Sequence, residues 1–204
     1  MSRTRNNLIL RRPLRETSGF SLIAPTPTLF NGPEMTNPDR QRGASMTIQV
    51  GDKVPSVDVG IMTGDGPGVI STDEIFTGKR VALFGLPGAF TKTCSSMHLP
   101  GFVNNADALK ARGVDSIVCL SVNDPWVMDA WGESQSVGDK VMMIGDGALN
   151  FTRAAGLEVD LSAKCYGPRC KRFSMLVEDG VVTTIHFEDG GFGETSAERL
   201  LDDL

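Results

Sequence analysis

Pro87-Gly-Ala-Phe-Thr91-Lys-Thr-Cys94 is the stretch of this 204-residue chain whose residue types and spacing point to chemistry. It leaves an apolar run that reads as a strand, Val81-Ala-Leu-Phe-Gly-Leu86, turns at Pro87-Gly88 and enters a helical pattern. Cys94 then falls in the first turn of a helix, where unpaired backbone N–H groups and the positive end of the helix dipole face its sulfur. A cysteine near the reference pKa of about 8.5 is only a few per cent thiolate at neutral pH, and the thiolate is the nucleophile. Each pKa unit requires about 1.4 kcal/mol and the helix end supplies roughly 0.3–2 kcal/mol, so a shift of about two units or more asks for a second cation. Thr91, three residues before Cys94, has a hydroxyl able to donate to a thiolate and accept from a substrate O–H. The same residues also read as a Thr helix cap beside an inert buried thiol. His98 stands four residues after Cys94 on the same helix, which makes it a base by spacing or a structural histidine. Pro100 should interrupt or kink the helix beyond it.

The elements around this stretch alternate. Phe102, Val103, Ala106 and Leu109 repeat at helical spacing, and Ser116-Ile-Val-Cys-Leu-Ser-Val122 reads as a second buried strand, giving a βαβ unit with a parallel pair. Pro125 opens a helix through Trp126 and Trp131, followed by a short strand at Val141–Ile144 and a short helix at Ala148–Ala155. Phe173–Val177, the turn Glu178-Asp179-Gly180 and Val181–Ile185 form a hairpin, because Asp-Gly supplies the positive φ angles of a tight turn. A last helix covers Ser196–Leu204. The order predicts an α/β protein with a mixed central sheet flanked by helices, which a thioredoxin-like fold satisfies.

Residues 1–45 differ in kind. They hold seven Arg, no Lys, three acids and five of the eleven prolines, a charge of +4, against −9 for residues 46–204. This reads as a flexible extension ahead of a domain at 46–204: a disordered tail, an upstream start with Met46 as the working one, or an organellar transit peptide. The acidic domain argues against nucleic-acid binding. No apolar run reaches the roughly 18 residues of a membrane span. Four cysteines are too few for a disulfide scaffold, and no signal-peptide pattern is present, so a reducing compartment, the cytoplasm, is expected, or the mitochondrion if 1–45 is a transit peptide.

Pro87, Thr91 and Cys94 fit the Pro-x-x-x-Thr-x-x-Cys motif of peroxiredoxins, and the wider stretch through Ser95 with His98-Leu-Pro-Gly-Phe102 resembles the type II, peroxiredoxin 5-like group. The similarity continues through Leu120-Ser-Val-Asn-Asp-Pro-Trp126 and Arg172-Phe-Ser-Met175 to the Glu178-Asp-Gly turn, over essentially all of 46–204. The resemblance implies a thioredoxin-like fold, reduction of hydrogen peroxide and alkyl hydroperoxides through a Cys94 sulfenic acid, and no metal, haem or other cofactor. It assigns Arg172 as the second cation, with Thr91 and Pro87 completing the catalytic set. It implies regeneration by glutaredoxin with glutathione or by thioredoxin, and a homodimer in which Trp126 and Trp131 are core or contact aromatics. Cys119 matches a second cysteine of plant and bacterial relatives and is a candidate resolving residue or an inert core thiol. The animal resolving position corresponds to Ser196. Cys165 and Cys170 depart from the family; Cys170, two residues before Arg172, is placed by strand alternation on the face of the active site, and either thiol reads as regulatory, resolving or a bystander. Zinc binding by Cys94, His98, Cys165 and Cys170 is a weaker reading, because the spacing is unusual. Lys92, where the family commonly has Pro, adds a positive charge beside the site or is a solvated surface residue. A redox relay to partner proteins is the alternative function.

Overall fold

The computed structural model describes residues 46–188 and 191–204, all within one compact unit; the expectations for 1–45 lie outside the described residues. Seven strands form one sheet. β1 (Asp58–Thr63), β2 (Gly66–Ser71), β3 (Arg80–Leu86), β4 (Ser116–Ser121), β5 (Met142–Gly145), β8 (Phe173–Glu178) and β9 (Val181–Phe187) lie in the order β2-β1-β5-β4-β3-β8-β9. β3, β4 and β5 are parallel, and β1, β8 and β9 join antiparallel. β6 (Glu158–Asp160) and β7 (Pro168–Cys170) make a separate two-stranded sheet.

The three parallel strands are apolar on both faces because both are covered. Ala82, Phe84 and Leu86 of β3 point into one core with Leu99, Phe102, Ala106, Leu109, Met128, Trp131 and Leu200. Val81 and Leu83 point to the other, with Ile75, Phe76 and Phe151. The helices that cover the first face are α2 (Leu99–Asn104), α3 (Ala106–Ala111), α4 (Pro125–Ser134) and α6 (Ala197–Asp202), and those on the second are α1 (Thr72–Phe76) and α5 (Asn150–Ala154). The fold is the mixed, helix-flanked sheet of the thioredoxin-like class. Among the described residues no helix is long and apolar enough to cross a membrane.

Local chemistry explains most boundaries. Asp124 caps α4 by accepting from Val127 N–H at 2.9 Å, with Pro125 at the first helical position, where its missing N–H leaves nothing unpaired. Asp179 and Gly180 have φ of 46° and 76°, as the β8–β9 hairpin requires. Two expectations change. The single helix expected from Phe102 to Leu109 is broken at Asn105, whose backbone leaves the helical region and whose side chain donates to Gly101 O at 2.8 Å and to Glu198 Oε1 at 2.8 Å. The β1–β2 hairpin was not anticipated, since its connection and second strand, Gly64-Asp-Gly-Pro-Gly68, have the composition of a loop.

β3 and β8 bring the site together. They pair antiparallel from Arg80↔Glu178 to Gly85↔Phe173, so the residue before β8 lies beside the turn after β3. Gly85 is required there: a Cβ would stand 2.0 Å from the Phe173 ring.

Candidate active site

Pro87 and Gly88 turn the chain out of β3. Ala89 N–H donates to Asn123 Oδ1 at 3.0 Å, and the same oxygen accepts from the Ser121 hydroxyl at 2.8 Å, tying the turn to the end of β4. Phe90 takes φ of 60°, a left-handed conformation that disfavours a bulky side chain by about 1–2 kcal/mol. The Thr91 hydroxyl donates to Gly88 O at 2.9 Å, and its carbonyl accepts from Ser95 N–H at 2.9 Å, the first bond of the helical run. Thr91 thus starts the helix, with hydroxyl lone pairs left to accept.

Cys94 lies in the first turn, as the sequence predicts, but this turn is a π-helix, Cys94–His98, in which Leu99 N–H reaches back to Cys94 O. Pro100 accounts for it. In a regular helix its ring would clash with the Ser96 carbonyl and its absent N–H would leave that carbonyl without a partner; one widened turn accommodates both. The run continues through Pro100 into α2. Trp131, fully buried, donates from Nε1 to Ser95 Oγ at 3.0 Å and fixes the turn from the α4 side; Trp126 is exposed.

The Cys94 side chain is completely buried, and Arg172 Nη2 donates to its Sγ at 3.2 Å. Arg172 Nη1 donates to His98 Nδ1 at 2.8 Å, and His98 Nε2 lies 3.0 Å from Thr195 O. A guanidinium can only donate, so Nδ1 is the acceptor and Nε2 carries the proton that bonds Thr195. Burial, and next the Arg172 charge, push the His98 pKa from 6.5 down to about 3. With one nitrogen accepting from Arg172 and the other donating to Thr195, His98 has no lone pair free for Cys94 or substrate. The structure rejects the base reading and makes His98 the neutral acceptor that orients Arg172. Phe192 adds its ring, 5.8 Å from the guanidinium carbon and 5.4 Å edge-on from the His98 ring.

The folded protein resists protonating His98 while the unfolded chain accepts a proton near pH 6.5. The stabilisation due to the neutral ring is therefore whole above that pH and lost progressively as pH falls toward about 3. Between pH 7 and pH 5 this one group should remove about 2 kcal/mol of stability. Urea unfolding at the two pH values should show that loss in wild type and not in His98→Gln.

The other cysteines are spread out. Cys119, paired with Phe84 across β3 and β4, is buried in the same apolar core as Cys94, and burial, followed by the nearby Cys94 and Cys170, raises its pKa well above the ordinary thiol value. Cys170 does not lie on the active-site face that strand alternation predicts. Strand alternation ends with β7 at Cys170, and Lys171 and Arg172 belong to no strand; Cys170 packs in the core on the opposite sheet face from Cys94, where burial pushes its pKa up to about 12. Cys165 is exposed on a loop at φ of 60°. The four-residue zinc set therefore does not converge, and both His98 nitrogens are already engaged. Lys92 is exposed, and Ser196 caps α6 by accepting from Arg199 N–H at 3.2 Å. Sequence reasoning assigned no role to Asn123, although it lies in a quoted motif, nor to Glu188 and Thr195, which carry no local signature.

A cavity of about 530 Å³ opens beside Pro87 and Arg172, with Val159, Leu161 and Phe187 as apolar walls and Lys171 and Glu188 as charged members.

A helix-borne cysteine held under a guanidinium on a thioredoxin-like sheet defines a thiol oxidoreductase site. A profile of the Redoxin family matches residues 49–201. The chain is 46% identical over 156 residues to peroxiredoxin-2C of Oryza sativa subsp. japonica, spanning 76% of this chain and 96% of that protein. It is 44% identical over 156 residues to peroxiredoxin-2D of Arabidopsis thaliana, with the same shares. Among solved structures, reduced Prx3 of Vibrio vulnificus in complex with hydrogen peroxide is 43% identical with a TM-score of 0.74, covering 77% of this chain and 99% of that one. The chain belongs to the Redoxin family, within its type II peroxiredoxins, and is a peroxide-reducing oxidoreductase.

Proposed function

We propose that Cys94 is the peroxidatic residue for hydrogen peroxide and alkyl hydroperoxides, that Arg172, Thr91 and Pro87 serve it, and that an external thiol system completes the cycle. The observation that carries this reading is the 3.2 Å bond from Arg172 Nη2 to Cys94 Sγ, with Nη1 held on His98. The Cys94 thiolate attacks one peroxide oxygen; the S–O bond forms as the O–O bond breaks, and the electron pair leaves with the other oxygen. That oxygen takes up a proton and departs as water or an alcohol, and sulfur, oxidised by two electrons, becomes a sulfenic acid. Arg172 stabilises the charge growing on the departing oxygen. The Thr91 hydroxyl, already donating to Gly88, accepts from the peroxide O–H, and Pro87 shields the sulfur from bulk water. The apolar walls beside Arg172 suit the organic part of an alkyl hydroperoxide.

One external thiol then condenses with the sulfenic acid, releasing water, and a second reduces the mixed disulfide. Glutaredoxin with glutathione, or thioredoxin, is the proposed donor. Cys119 supports resolution poorly, because its burial keeps it a neutral thiol and only the thiolate attacks. Peroxide consumption is to be measured with each donor system for wild type and Cys119→Ser. Turnover within about twofold of wild type in Cys119→Ser is expected; loss of turnover would make Cys119 the resolving residue. No wild-type turnover with either donor would favour a relay that passes oxidation to partner proteins. We place the enzyme in the cytoplasm, or in mitochondria with residues 1–45 as a transit extension ahead of the 46–204 domain. The exposed Phe90, Met97 and Trp126 favour a homodimer.

A further inference from the structure

Glu188 directly follows β9, and its Oε1 accepts three hydrogen bonds: from Gly193 N–H at 2.9 Å, Thr195 N–H at 2.9 Å and the Thr195 hydroxyl at 2.8 Å. All three donors sit in the segment that leads into α6. That segment supplies two groups to the active site, the Thr195 carbonyl that accepts from His98 Nε2 and the Phe192 ring facing the Arg172 guanidinium. Burial works against the ionised form of Glu188. The hydrogen bonds from Gly193 and Thr195, and then the charge of Arg172, outweigh it and hold the pKa below the usual carboxylate value.

Arg172 Nη1 requires the lone pair of His98 on Nδ1, which leaves the proton on Nε2, and the Thr195 carbonyl accepts from that N–H at 3.0 Å and holds the ring in place. If it moves away, the Nε2–H is left buried without an acceptor, and the ring gains by turning toward another one, which withdraws the Nδ1 lone pair from Arg172 Nη1. With that acceptor withdrawn, the guanidinium would leave the position in which it bonds Cys94. Thr195 is fully buried, so its N–H and hydroxyl have no water to replace Glu188.

We infer that Glu188 is a positioning residue for peroxide reduction: by holding Thr195, it keeps the acceptor of His98 Nε2–H in place, and thereby the His98 ring and the placement of Arg172 on Cys94. The inference rests on the peroxidase reading of Cys94 and Arg172. It is tested on the full chain by stopped-flow measurement of the reaction of reduced protein with hydrogen peroxide. In parallel, alkylation of Cys94 by iodoacetamide at a pH high enough to ionise the thiol fully in wild type and variant, read by peptide mass spectrometry, reports the thiolate without needing a guanidinium-held oxygen.

Glu188→Ala should slow the peroxide reaction on the order of tenfold, with Cys94 alkylation within about twofold of wild type. Glu188→Gln, which keeps an acceptor oxygen, should restore the peroxide rate to within about threefold. Should the Ala variant not fold, Glu188→Asp, with its carboxylate drawn back by one methylene, must show the same selective loss. Wild-type peroxide reactivity in Glu188→Ala, an equal change in both reactions, or a Gln variant as slow as Ala overturns the inference. A wild type that does not react with peroxide at all overturns the peroxidase reading and this inference with it.

Discussion

Cys94→Ser should reduce peroxide consumption to the background rate with either thiol donor while leaving the fold in place. The hydroxyl of serine is hardly ionised at neutral pH, whereas a thiol is the most readily activated of the neutral nucleophiles. Guanidinium and helix end cannot supply the difference. Oxygen occupies less space than sulfur, so the substitution enters the buried site without overpacking, and the thermal midpoint should shift by no more than a few degrees. Turnover clearly above background in the serine variant would move the chemistry to Cys119, Cys165 or Cys170. Coupled peroxide assays and a thermal melt on the same preparation check both halves of the expectation.

Arg172→Lys should lower the rate constant for peroxide by about 10²–10³, the range seen when a preorganised donor to a developing negative charge is removed. The positive charge remains, so the loss measures geometry. Arg172 uses two nitrogens of one planar group, Nη1 on His98 and Nη2 on Cys94. A lysine ammonium is a point charge on a flexible stem and cannot span both acceptors with a fixed spacing. His98 would then hold a buried lone pair facing no donor. Stopped-flow rates for hydrogen peroxide should show the loss in full, and a decrease of less than about threefold would mean that bidentate holding is unnecessary.

How much of this site is legible in the sequence depends on how far apart the partners are. Cys94 could be placed on a helix start because Leu86, Pro87, Gly88 and Thr91 write strand, turn and helix entry within a few residues. The Asp179-Gly180 hairpin was legible for the same reason. Arg172 was reachable only through resemblance: it is 78 residues from Cys94, and the pairing of β3 with β8 that joins them leaves no local mark. His98 could be put on the right helix, but its role depends on Arg172 and on Thr195, 74 and 97 residues away. Cys170 was misplaced because alternation was carried past the end of a three-residue strand. The β1–β2 hairpin was hidden by glycines and Pro67, which local propensity counts against a strand although pairing along β1 overrides it.

The separation of 78 residues between Cys94 and Arg172 also has a consequence for the newborn chain. At a synthesis rate of about 5–20 residues per second, Cys94 is made roughly 4–16 s before the arginine that bonds it. Thr195, which completes the His98 lock, follows later still, nine residues from the C-terminus. During that interval the ribosome carries a chain with the cysteine but without the guanidinium that bonds it. On the proposed roles of Cys94 and Arg172, translation itself delays peroxide reactivity until β8 has paired with β3.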